Sequence, residues 1–119
     1  MAEYTFSHMA INTENQEEAL NTVKTLCAIF GLNPKLPQKG SPYAGKNIEV
    51  CWEEKNKKGT HGHFGFYTPD IEEAIRDLES RGVELDHNAV KTNPDGSKYL
   101  IYLKHEFAGF AVHLITDKK

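Results

Sequence analysis

Residues 62–85 read GHFGFYTPDIEEAIRDLESRGVEL, and this stretch decides the fold. His61 to Tyr67 alternates: His61, His63, Gly65 and Tyr67 on one face, Phe64 and Phe66 on the other, which is the two-residue period of a strand. Pro69 lies near a helix start, where Asp70 and Glu73 can form a capping box. Ile71, Ala74, Ile75 and Leu78 step by three and four residues and make one apolar stripe. Gly82 ends that helix, and Val83 to Val90 reads as the next strand. Asn93-Pro94-Asp95-Gly96 is a strong turn signal, followed by strands at Tyr99–Leu103 and Phe110–Ile115.

The N-terminal half has the same grammar. Tyr4 to Asn12 alternates as a strand, with Tyr4, Phe6, His8 and Ala10 on one face. Thr13 opens a helix with Gln16 as its capping partner. Leu20, Val23, Leu26, Cys27 and Phe30 form its apolar face, and Gly31 closes it. Asn33 to Gly40, with two prolines, is an edge strand or an extended loop. Tyr43 to Trp52 is one more alternating run, with Ile48, Val50 and Trp52 against Asn47, Glu49 and Cys51.

The two halves repeat each other. Ser7-His8-Met9-Ala10 falls on Gly62-His63-Phe64-Gly65 at an offset of 55 residues, and Glu17-Glu18-Ala19-Leu20 falls on Glu72-Glu73-Ala74-Ile75. Further on, Tyr43-Ala44-Gly45 falls on Phe107-Ala108-Gly109, and Ile48-Glu49-Val50 on Val112-His113-Leu114, at an offset of 64. The expected organisation is one domain, 1–119, with modules 4–52 and 61–116 joined by the polar linker 53–60. Met9, Ile11, Phe64 and Phe66, with Ile48, Val50, Val112 and Leu114, form the face for the helices to cover. His8, Glu49, His63 and His113 lie on the opposite face, beside the small Ala10 and Gly65.

Composition narrows the function. A chain of 119 residues is too short for an eight-fold barrel enzyme. A net charge of −3 with no basic block argues against nucleic acid. No apolar run approaches the ~18 residues of a membrane span. The first residues carry no signal-peptide pattern, and Cys27 and Cys51 read as free thiols, so a cytoplasmic protein is expected. Three imidazoles and a carboxylate suit a borderline divalent ion: Zn, Ni, Mn, Fe or Co. His61 and Cys51 share a face with the ligand candidates, and with Tyr102 they are candidates for substrate contact. His87 and His105 fall outside the repeat and read as solvated.

At these residues the chain resembles the vicinal oxygen chelate superfamily, which includes glyoxalase I and fosfomycin-resistance proteins. Residues 62–85 resemble its first strand, helix and following strand, and YLIYLKHEFAGFAVHLI, ending at Ile115, its closing hairpin. The Asp-Pro often found in that hairpin turn is missing here. The resemblance implies an α+β fold: two βαβββ modules paired by a pseudo-two-fold axis into a cup-shaped, partly open mixed sheet with helices outside. It places metal ligands at His8, Glu49, His63 and His113. In glyoxalase I-like members the place of His113 is usually a Glu that also shuttles the substrate proton. The implied activity is that of a metal-dependent lyase or isomerase acting on a small oxo- or hydroxy-acid or oxo-aldehyde, with His113 or Glu49 as base. A narrower resemblance is to a small domain attached to some bacterial keto-deoxy-phosphogluconate / hydroxy-oxoglutarate aldolases. An accessory partner of an aldolase and a non-catalytic binding protein are therefore the alternatives. A homodimer is expected, since one face of so open a sheet stays uncovered.

Overall fold

A computed structural model of the chain describes residues 2–119. The elements in order are β1 (Thr5–Asn12), α1 (Gln16–Phe30), β2 (Pro34–Lys35), β3 (Tyr43–Ala44), β4 (Ile48–Cys51), β5 (Gly62–Tyr67), α2 (Ile71–Ser80), β6 (Leu85–Thr92), β7 (Lys98–Leu103) and β8 (Phe110–Ile115). The strands form one mixed, open sheet in the order β2-β3-β4-β1-β5-β8-β7-β6. The α+β class expected from the sequence is present. Two compact units divide the chain: His8–His63, and the residues through Ser7 together with Phe64–Lys119. β1 and β5 each give residues to both units.

In the His8–His63 unit, β1 and β4 run parallel, with Ala10 opposite Glu49 and Ile11 opposite Val50. Parallel neighbours need a crossover, and α1 lies within it. Ala19, Val23 and Cys27 of α1 pack with Ala44 and Val50, bordered by Leu26, Leu32, Ile48 and Trp52. Burying each valine contributes about 1.5–3 kcal/mol.

Three expectations are corrected in this unit. The cap of α1 is Asn15 rather than Thr13: its Oδ1 accepts from the Glu18 N–H at 2.9 Å. The Glu18 carboxylate in turn accepts from the Glu14 N–H at 2.8 Å. The Thr13 hydroxyl instead donates to the Cys51 carbonyl at 2.9 Å, tying the helix entry to β4. Phe30 is 68% exposed. Its angle on the helix fits the stripe, so its exposure comes from its place in the last turn, beyond the packed residues. The run Tyr43–Trp52 is two strands. Gly45, at φ 69°, folds it into a hairpin that sets Tyr43 opposite Glu49 and Ala44 opposite Ile48. The proline-bearing Pro34–Lys35 is the edge strand.

In the other unit, β6, β7 and β8 are antiparallel, with Ile101 opposite Leu114 and Tyr102 opposite His113. α2 is capped as expected, Asp70 Oδ1 accepting from the Glu73 N–H at 3.1 Å. Its Ile71, Ala74 and Ile75 pack on Leu85, Ile101 and Leu114. The turn at Asn93 closes through the Gly96 N–H to the Asn93 carbonyl, 2.9 Å. β6 begins at Leu85 rather than Val83, because the Val83 N–H still donates to Leu78 at the helix end. Phe64 and Phe66, expected beneath α2, meet Phe110 (tilted) and Phe6 (edge to face) at ring distances of 5.0 and 6.0 Å. The α2 core is built by β7 and β8 instead. Met9, Ile11 and Val112 are half-buried and outside both cores. Tyr4 precedes β1 and donates its hydroxyl to Asp77 on α2.

Candidate metal centre

Register partners in a parallel ladder share a face, so Ala10 and Glu49 lie on one side and Ile11 and Val50 on the other. His8, two residues before Ala10, belongs to the Glu49 side. Burial agrees: Val50 is in the α1 core, while His8 and Ala10 are buried away from it. His63 follows Gly62, whose backbone lies hard against β1. A Cβ at position 62 would sit 1.9 Å from the Ala10 carbonyl oxygen, so only glycine fits there.

These elements converge on Glu49. Its Oε1 lies 3.5 Å from His8 Nε2 and 3.4 Å from His63 Nε2. The two imidazole rings stand edge to face, 5.4 Å apart and perpendicular. The side chains of His8, His63 and Glu49 are 10%, 6% and 15% exposed.

Burial by itself would raise the Glu49 carboxyl. Hydrogen bonding and charge from His63, with help from Ser41 and His8, outweigh burial and hold it at about 2. Burial lowers the His8 imidazole, the Glu49 charge partly restores it, and His63 lowers it further. Burial, then the charge of Glu49, pushes the Tyr43 phenol up. Burial also lifts the Cys51 thiol to about 12. At neutral pH this is an ionised carboxylate, an imidazole biased to its neutral form, and two protonated neighbours. A neutral imidazole and an ionised carboxylate are the protonation states that bind metal.

His8, Glu49 and His63 are thus brought together as the sequence suggests. Cys51 is fully buried, two residues along β4 on the Glu49 side, with its sulfur 3.5 Å from Ser41 Oγ. His113 and Tyr102 lie in the other unit, paired across β7 and β8 with rings 5.1 Å apart. His113 is 1% exposed, and its Nδ1 is 3.3 Å from the Leu114 carbonyl oxygen. His61 precedes β5, is exposed, and lines a surface cleft with Asn12, Thr13, Glu54 and Lys57. His87 and His105 are exposed and paired with Glu79 and Glu84. Ser41 and Tyr43 are neighbours of Glu49 that the sequence does not single out. The signal for Tyr43 was Gly45, a turn residue inside an apparently continuous strand.

No protein-family model and no curated protein matches the chain. Solved structures do. A hypothetical protein from Bacillus halodurans C-125 superposes with a TM-score of 0.64 at 18% identity, over 98% of this chain and 96% of that one. A methylmalonyl-CoA epimerase gives 0.61 at 17%, over 96% and 95%. The methylmalonyl-CoA epimerase from Mycobacterium tuberculosis gives 0.57 at 14%, over 96% and 88%. At these identities the likeness is one of fold. The α+β architecture expected from the sequence is thus shared with these solved structures.

Proposed function

We propose that this chain is a divalent-metal-dependent protein of the vicinal oxygen chelate type, acting on a small oxo- or hydroxy-acid or oxo-aldehyde. The observation that carries the proposal is the half-buried Glu49 carboxylate, 3.5 and 3.4 Å from two buried imidazoles. A structural ion pair needs one cation for one carboxylate, whereas two nitrogens and an oxygen on one point are a donor set for Zn, Ni, Mn, Fe or Co. His113, buried and related to Glu49 by the repeat, is the proposed fourth ligand, so that His8, His63 and His113 supply the nitrogens.

When bound, such an ion supplies a Lewis acid that two adjacent substrate oxygens can chelate. The chain's own residues divide the remaining work. Glu49 offsets positive charge, and at about 2 it is too weak a base to take a proton near neutral pH. Proton transfer is therefore proposed for His113, whose imidazole would have to leave the ion to accept the proton, and metal binding for Glu49. Cys51, un-ionised and buried, fills space beside Glu49 and is no nucleophile. Tyr102, against the His113 ring, is the proposed substrate-side neighbour. The shared fold with an epimerase of methylmalonyl-CoA, itself a carboxylic acid, supports an acid substrate. A homodimer in the cytoplasm belongs to the same proposal and an accessory partner of an aldolase is its alternative; sizing and co-purification test them.

The function is tested by metal-loaded turnover of oxo-acids and oxo-aldehydes, comparing the wild type with His113→Gln. Expected are product formation by the wild type and a loss of at least ~100-fold in kcat for the variant. Saturable binding of these acids without product would move the reading to a non-catalytic binding protein.

A further inference from the structure

We propose that the end of α1 and the edge strand β2 dock on an anionic phospholipid surface, lying on it without crossing it. The inference goes beyond the metal centre and does not depend on it.

Residues 28–39 read AIFGLNPKLPQK, and all of them are exposed except Leu32, which is half-buried. Three large apolar side chains of this stretch stand in water: Ile29 at 64%, Phe30 at 68% and Leu36 at 48% exposure. Leu32 turns inward to the α1 core beside Gly45, and the Asn33 carbonyl accepts from the Gly45 N–H at 2.9 Å. The helix end, the edge strand and the turn between β3 and β4 therefore meet.

Charge follows the same stretch of chain. Ala19 to Ile48 contains no Asp or Glu and four lysines: Lys24, Lys35, Lys39 and Lys46. This +4, within a chain of net charge −3, leaves −7 on the rest. All four lysines are exposed, and among the described residues none of them forms an ion pair. Lys55, Lys57, Lys98, Lys104 and Lys119, elsewhere in the chain, are each paired with a carboxylate.

The charge and the backbone decide what this face can meet. A second copy docked on it about a two-fold axis would set the same lysines against each other with no acid between them. Strand addition along β2 is blocked, since Pro34 and Pro37 have no N–H to give. Protein interfaces are enriched in Arg and depleted in Lys, and this stretch holds four Lys and no Arg. Apolar side chains bracketed by lysines match an anionic lipid surface instead. Ile29, Phe30 and Leu36 enter the acyl boundary, while the lysines stay among the headgroup phosphates on their long stems. Each lysine held there strengthens binding about fivefold. The acidic remainder is repelled, which turns this edge toward the surface.

The test is co-sedimentation of the full chain with vesicles of phosphatidylcholine alone or with added phosphatidylserine. The wild type is expected to bind the phosphatidylserine vesicles at least ~10-fold more tightly, and to be released by high salt. Lys35→Gln with Lys39→Gln is expected to weaken binding about 25-fold. Phe30→Ser is expected to weaken it as well, on both kinds of vesicle. These side chains are exposed, so melting temperatures are expected to match the wild type. Lys98→Gln with Lys104→Gln removes the same charge elsewhere and is expected to leave binding within about twofold. No binding, equal binding to both vesicles, or an equal loss in the Lys98 and Lys104 variant would each overturn the proposal. A dimer that Phe30→Ser dissociates, without vesicle binding, would overturn it by giving this face to a second copy.

Discussion

Glu49 concentrates the chemistry at the residue scale. Its carboxyl is held at about 2 against an ordinary 4.5. A folded value below the unfolded one adds stability above the unfolded value and loses it as pH falls through the folded one. In the metal-free protein the window is therefore about pH 4.5 down to about 2. Denaturant unfolding across this window is expected to show the wild type's advantage over Glu49→Gln shrinking as the pH drops. Parallel stability curves would mean that the two imidazoles do not hold the charge. His8, Glu49 and His63 were legible in the sequence because an internal repeat marks positions without knowledge of the surroundings. Tyr43 was not. Read as part of one strand it lies six residues, about 20 Å, from Glu49. The turn at Gly45 makes it a direct neighbour.

At the scale of elements, helix caps show what a motif can and cannot carry. Asp70 with Glu73 marks the start of α2 correctly, because Pro69 leaves few alternatives. Before α1 the sequence Thr-Glu-Asn-Gln-Glu-Glu offers two registers. Thr13–Gln16 loses to Asn15–Glu18 because the Thr13 hydroxyl and N–H are both taken by the Cys51 carbonyl. Asn15→Ala is expected to cost about 1 kcal/mol and lower the melting temperature by a few degrees, whereas Gln16→Ala is expected to be near neutral. Equal effects would return the cap to Thr13. The aromatic residues of β5 follow the same lesson. Alternation gives Phe64 and Phe66 a common face, but not which neighbours occupy it, and Phe110 and Phe6 are distant in sequence.

At the scale of the molecule, the strand and helix segments were legible in local periodicity, whereas the α+β fold with an open mixed sheet was an expectation from the resemblance. Sheet order across β1 and β5 depends on long-range pairing that no local pattern encodes. The functional claim also belongs to this scale, because the ligands proposed come from β1, β4, β5 and β8. An ion held by strands so far apart in sequence must stabilise the folded chain over the unfolded one, by about 2.7 kcal/mol at a hundredfold excess over its dissociation constant. Elemental analysis of protein purified without chelators or a His tag, repeated on His63→Ala, tests this most directly. About one divalent ion per chain in the wild type, lost in His63→Ala, is the expected result. A wild type that carries no ion, even after Zn, Ni, Mn, Fe or Co is supplied, would contradict the metal centre.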